Sequence, residues 1–273
     1  MYHKNHPKGC FLYALFKKYV GIYSTLMAIV KKNTYCDKMT SMKLILDKSD
    51  ERGKGDYGWL TTRYSFSFAN WYNPSKMGFG NLRVLNDDTI APNQGFGKHG
   101  HKNMEIITVV TRGEVTHTDS MGNSYVVKAG DVQVMSAGTG VFHSEFNQSP
   151  SIPLELFQIW IEPKEYDIAP RYHQKSYNFH SVKNTTLTLV GESALSINQD
   201  SSIVYGALDS LSSLTYTLEN KEHGIYVFVI EGSITLCGQT LGRRDAVGIV
   251  EVDSVEIVAK EDSTFLIIEV EVG

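Results

Sequence analysis

The side chains best equipped for chemistry lie in two short segments, Gly95-Phe-Gly-Lys-His-Gly-His-Lys-Asn-Met-Glu-Ile and Gly138-Thr-Gly-Val-Phe-His-Ser-Glu. On a strand, residues two apart share a face, with a rise of about 3.3 Å per residue. His99 and His101 therefore present two imidazoles side by side, and His143 and Glu145 repeat that spacing. If the intervening strands pair as hairpins, the two dyads can meet inside one barrel. Three imidazole nitrogens and a carboxylate form a sulfur-free donor set suited to one divalent ion, Fe(II), Mn(II), Ni(II), Cu(II) or Zn(II). A single His-x-His could equally be two surface histidines in a polar loop; the second dyad shifts the balance to a metal. Glu105 has the parity of His99 and His101, so a regular strand would turn it inward too. It competes with Glu145 for the fourth position, or accepts a hydrogen bond from a ligand histidine. The residues alone leave the two glutamates level.

The elements that must position these groups are strands. From residue 43 onward, short runs rich in Val, Ile, Thr, Tyr and Phe alternate with Gly, Asn, Asp and Ser, the pattern of an all-β barrel or sandwich. Such runs occupy 43–46, 105–110, 115–118, 124–127, 132–135 and 154–161, and Asp119-Ser-Met-Gly-Asn-Ser is a turn between two of them. No sustained helical periodicity appears after residue 45. There is also an internal echo: Ile107-Thr-Val-Val-Thr-Arg-Gly-Glu-Val reads like Tyr226-Val-Phe-Val-Ile-Glu-Gly-Ser-Ile. It predicts two tandem barrels, over 42–165 and 166–273, joined around residues 163–176 where prolines and charges cluster.

Composition narrows the function classes. The 273 residues carry a net charge of −4, which argues against nucleic acid as a partner, since phosphate binding needs a basic field. Cys10, Cys36 and Cys237 are odd in number and widely spaced, so neither a disulfide framework nor a cysteine zinc site is readable and a reducing, cytoplasmic setting is expected. Residues 1–41 read as an N-terminal extension, either disordered or not part of the native protein. Their apolar stretch is broken by Lys17 and Lys18, so no membrane span is expected. His117, His173 and His180 have no partner at ligand spacing and read as ordinary core or surface histidines. Trp71, Phe79, Phe157 and Trp160 read as barrel core.

The motifs resemble those of the cupin superfamily and, within it, the pirin family. His99-Gly-His-Lys-Asn-Met-Glu-Ile-Ile-Thr is similar to the first pirin motif, commonly HPH followed by MEI or FET. Arg63-Tyr-Ser-Phe-Ser-Phe-Ala, Asp119-Ser-Met-Gly, Gly130-Asp-Val-Gln, Met135-Ser-Ala-Gly-Thr-Gly-Val-Phe-His-Ser-Glu, Gln158-Ile-Trp-Ile-Glu-Pro and Pro170-Arg-Tyr resemble other family segments, in family order. The resemblance is strong over residues 42–175 and loose beyond. It implies a bicupin of two jelly-roll barrels, with one Fe(II)-type site in the first. Its ligands would be His99, His101, His143 and Glu145, which decides for Glu145 over Glu105. Gly100 stands where the family commonly has proline. The second barrel, with His223 alone, is expected to be metal-free. Bacterial relatives resemble quercetin 2,3-dioxygenases, which open a flavonol ring with O₂ and release carbon monoxide. That implies a flavonol substrate, with Glu145 accepting its 3-hydroxyl proton. The family's other implication is a metal-dependent, redox-sensing regulator that binds a protein partner without catalysis, and such a regulator should carry a distinctive charged surface beside the site.

Overall fold

A computed structural model describes residues 42–273; the extension expected over 1–41 lies outside the described residues. The chain is built of strands, and a single 3-10 turn, Phe179–Ser181, is the one helical element among the described residues. The strands are β1 Lys43–Asp47, β2 Gly53–Asp56, β3 Leu60–Tyr64, β4 Leu82–Ile90, β5 Gln94–His101, β6 Glu105–Arg112 and β7 Glu114–Asp119. They continue with β8 Ser124–Lys128, β9 Asp131–Ser136, β10 Val141–Asn147, β11 Leu154–Ile161, β12 Arg171–Ser176, β13 Thr185–Val190 and β14 Ser202–Leu208. The last are β15 Ser213–Thr217, β16 His223–Glu231, β17 Ile234–Leu236, β18 Gln239–Leu241, β19 Ala246–Val250, β20 Ser254–Ala259 and β21 Ser263–Glu271.

Four sheets result. A large sheet, β12-β9-β6-β11-β4-β3-β2, accompanies a small one, β5-β10-β7-β8. The second half repeats the plan with β1-β19-β16-β21-β14-β13 and β15-β20-β17-β18. The two echoing segments begin on β6 and β16, which hold the same place in their sheets. Hydrogen bonding does not run on from a large sheet to its small one, so each half is a two-sheet jelly roll, not a closed cylinder. Two strands cross the division expected at 165/166. β1 pairs with β19, from Lys43↔Val250 to Asp47↔Ala246, and β12 pairs with β9, from Arg171↔Ser136 to Ser176↔Asp131. Each crossing strand covers an edge that would otherwise expose unpaired backbone groups.

The two large sheets share one core. Leu82, Leu85, Ile107, Phe157 and Ile159 pack with Tyr226, Phe228, Leu266 and Ile268, and Phe79 joins them. Phe79 and Phe157 are thus core residues, as expected, while Trp71 packs on Gly53, where a Cβ would lie 2.3 Å from the indole. The opposite face of the first large sheet is different. Tyr64, Asn86, Gln158, Thr108 and Gln133 are aligned in register across five strands, and all are buried. Buried polar rows are costly unless hydrogen-bonded, so this face has a purpose beyond packing.

Asp88 lies on the same face. Burial pushes its carboxyl from 3.8 up to about 7. Because the folded state holds the proton more tightly, stability falls as pH rises from the unfolded value through about 7. Asp88→Asn removes that loss. Urea unfolding of the variant should match the parent near pH 4 and exceed it at pH 8, by on the order of 4 kcal/mol; equal midpoint differences at both pH values would refute the assignment.

Candidate metal centre

The small sheet of the first half carries the candidate ligands. On β10 the residues alternate strictly: Val141, His143, Glu145 and Asn147 are buried while Phe142 and Phe146 are exposed. On β5, His99 pairs with His143 and His101 with Val141. The register then slips, and Glu145 pairs with Phe96. This bulge lets Phe96 and His99, three apart, both turn inward; Phe96 packs edge-on against Trp59 at 5.2 Å. Gly100 faces Phe142, whose ring lies 2.9 Å from where a Cβ would sit. Glycine at this position thus accommodates an aromatic ring across the strand pair.

The three imidazoles converge as expected. Ring centroids are 4.4 Å apart for His99 and His143, and 4.9 Å for His101 with each of the other two. Their donor nitrogens lie within 4.8 Å of one another. His99 Nδ1 is 2.8 Å from the Gly97 carbonyl, so it donates there and leaves Nε2 as the lone pair. The Nε2 atoms of His101 and His143 are buried and have no hydrogen-bond partner. Burial first, then the neighbouring histidines, pushes His101 down to about 4 and His143 to about 2. Both are neutral at physiological pH, the state in which imidazole binds a metal.

Glu145 does not join that triad within the same radius; it groups with His143 and His117, again within 4.8 Å. Its Oε1 accepts from Gln133 Nε2 at 2.9 Å and Thr108 Oγ1 at 3.5 Å, and its Oε2 accepts from Gln158 Nε2 at 3.1 Å. The polar row of the large sheet is therefore a cradle for this carboxylate. Burial raises the Glu145 carboxyl, against the opposing effect of His117, His99 and these hydrogen bonds. Of the two overlapping groups, the one with unsatisfied donors is His99, His101 and His143, and it is there that the residues fit a divalent ion. Glu145 stands beside it with lone pairs to spare.

His117 is neither a free surface histidine nor an isolated core one. It is wholly buried, with Nε2 3.1 Å from Asp119 Oδ2 and Nδ1 3.5 Å from His143 Nδ1. Burial alone would raise the Asp119 carboxyl, but hydrogen bonds from Asn123 and His117 and from the Asn123 and Met121 amides hold it below its usual range. An ionised Asp119 is acceptor-only, so His117 donates through Nε2. His117 Nδ1 then accepts from His143 Nδ1, which places the His143 lone pair on Nε2, toward His99 and His101. Sequence reasoning passed over this pair although His117 and Asp119 show the same two-residue spacing as the dyads. Trp160 is also more than core: its ring meets His101 edge-on at 4.9 Å. Tyr172 covers His117 at 4.7 Å. His173 and His180 are exposed, as expected.

Glu105 is buried but serves elsewhere. It accepts from Ser136 Oγ at 2.6 Å and from the Asn198 amide at 3.0 Å, and no hydrogen bond joins it to His99, His101 or His143. In the second half, β15 and β20 stand where β5 and β10 stand in the first, and they turn Tyr216, Val255 and Ile257 inward. His223 there is held by Asn220 at 3.2 Å and Glu269 at 3.4 Å. Among the described residues both candidate metal groups lie in the first half.

Family models match two separate stretches of the chain. The Pirin family model matches residues 46–161, and the model for the quercetinase C-terminal cupin domain matches residues 190–270. A quercetin 2,3-dioxygenase of Escherichia coli (strain K12) is 41% identical over 229 residues, covering 83% of this chain and 98% of the relative. A pirin-like protein of Caulobacter vibrioides is 40% identical over 225 residues, covering 81% and 96%. The crystal structure of bacterial pirin YhhW from Escherichia coli in complex with nickel(II) superposes with a TM-score of 0.80 at 38% identity, covering 85% of this chain and all of that one. With its two jelly rolls, its histidine cluster confined to the first, and relatives of this identity and coverage, the chain belongs to the pirin family of the cupin superfamily.

Proposed function

We propose that this pirin is a metal-dependent dioxygenase of the quercetin 2,3-dioxygenase type, with Fe(II) held by His99, His101, His143 and Glu145. The observation that carries the reading is the pair of buried, unpartnered Nε2 atoms of His101 and His143 in a three-imidazole cluster. It is supported by the 41% identity to a protein named quercetin 2,3-dioxygenase. When bound, the ion supplies Lewis acidity and a place for substrate and O₂ to meet. The chain's own part is to hold and to move a proton. In this reading Glu145, hydrogen-bonded by Gln133, Gln158 and Thr108, accepts the 3-hydroxyl proton of a flavonol, as a carboxylate within reach can. Trp160 and Phe96 line the histidines with aromatic surface, which suits a planar substrate.

The regulatory alternative calls for a distinctive charged surface beside the site. Lys102 is instead paired with Asp167 at 3.0 Å, and Lys98 lies over the Phe142 ring at 5.6 Å. That favours the enzyme. No helix among the described residues is long and apolar enough to cross a membrane, and a reducing cytoplasm would keep iron divalent. The test is turnover: protein loaded separately with Fe, Mn, Ni and Cu should deplete quercetin in air and release carbon monoxide with at least one of them. If none supports turnover while metal still binds, and partner affinity differs between Fe(II) and Fe(III), the regulatory reading replaces this one.

A further inference from the structure

A cleft of about 400 Å³ lies where strands β3 and β4 of the first half meet the β1–β2 connection and the turn before β19. Four guanidinium groups line it, those of Arg52, Arg63, Arg243 and Arg244, against two carboxylates, Asp87 and Glu155. The carboxylates are committed. Asp87 pairs with Arg244 at 2.9 Å, Glu155 pairs with Arg112 at 3.1 Å, and Arg243 turns to Glu231 at 2.7 Å. Arg52 and Arg63 form no ion pair with any described residue. Arg52 is 3% exposed. Its Nε and Nη1 have no hydrogen-bond partner, and its Nη2 makes only two long contacts of 3.4 Å, to the Arg63 and Leu85 carbonyls.

The arrangement is built, not incidental. Arg52 stacks on Phe228 at 4.9 Å and Arg244 on Phe157 at 5.0 Å, and those two rings touch edge-on at 5.4 Å across the shared core. Stacking uses the faces of the guanidiniums; Arg244 commits its N–H edge to Asp87 and the Ile230 carbonyl, whereas Arg52 keeps Nε and Nη1 uncommitted, on the edge that recognises phosphate and carboxylate in a forked geometry. A buried guanidinium with no ion-pair partner among the described residues and two unsatisfied nitrogens is a costly arrangement that an anion would relieve. We propose that this cleft binds a compact, multiply charged oxyanion. The site is separate from the metal centre, since Arg63 and Asp87 lie on the face of the large sheet opposite to Gln158 and Thr108.

Calorimetric titration of the full chain with inorganic phosphate, at ionic strength held constant with chloride, tests this. Saturable binding is expected, weakened roughly tenfold or more by Arg63→Gln, since a hydrogen bond to a charged group is at stake. It should persist in His143→Ala, which separates the cleft from the metal ligands. Parallel titrations with glycerol phosphate and citrate tell a phosphate site from a general polyanion site; either supports the proposal. No saturable response above chloride overturns it, as does equal affinity in Arg63→Gln and the parent. Arg63 is half-buried on a strand, so its variant decides the matter even if Arg52→Gln fails to fold.

Discussion

His143→Ala is expected to abolish metal binding while leaving the metal-free protein folded. His143 is the one residue common to both candidate groups, and its Nε2 is a lone pair with no other use. Loss of an outer partner typically costs about 10–100-fold in metal affinity; loss of a central ligand should exceed that. The fold should tolerate the change. Truncating a buried side chain usually costs about 1–3 kcal/mol, and here it also removes a buried nitrogen that the metal-free protein leaves unsatisfied. The contrast appears in thermal unfolding. Divalent metal at a hundred times its dissociation constant stabilises the parent by about 2.7 kcal/mol, a shift of roughly 5–10 °C for a domain of this size. The variant should melt within a few degrees of the metal-free parent and show no shift. A metal-dependent shift retained in His143→Ala would move the site elsewhere.

Much of this centre was legible because strand geometry converts spacing into facing. His99 with His101, and His143 with Glu145, could be paired on parity alone, and the structure sets His99 opposite His143. Strand β10 shows why such a site stands out: it buries His143, Glu145 and Asn147 and exposes Phe142 and Phe146. Hydrophobicity by itself would turn that strand over, so local preference yields to the site. The β5 bulge was not legible. It shifts Glu145 level with Phe96, and nothing in the local sequence distinguishes a bulged strand from a regular one. The exchange of β1 and β12 between halves was equally hidden: β1 reaches forward to β19 at Lys43↔Val250 and β12 turns back to β9 at Arg171↔Ser136, and neither pairing leaves a local mark. The echo of β6 in β16 could be read because equivalent places in two sheets impose the same burial. The link from His117 to His143 depends on which nitrogen carries a proton, and spacing cannot encode that.

That link yields the second large effect. Asp119→Asn is expected to lower metal affinity about 10–100-fold, the range for losing a group that orients a ligand. In the parent, Asp119 Oδ2 forces His117 to donate through Nε2, and His117 Nδ1 in turn accepts a hydrogen bond from His143 Nδ1. Asparagine can keep its carbonyl on the Met121 and Asn123 amides, which Asp119 Oδ1 anchors at 2.9 and 3.1 Å. Its NH₂ then faces His117, whose Nε2 must become the acceptor, so Nδ1 carries the proton. Two N–H groups would oppose each other between His117 and His143, and His143 relieves this by moving its own proton to Nε2, where the metal must bind. His117→Phe, which keeps the ring against Tyr172 but offers no acceptor, should weaken binding comparably. Because both changes act through one hydrogen-bonded chain, the double variant should be no weaker than the worse single one. Isothermal titration of the four proteins with Ni(II) measures this directly. Affinities that fall multiplicatively would show two independent structural effects, and an unaltered Asp119→Asn affinity would show that His143 needs no help in choosing its tautomer.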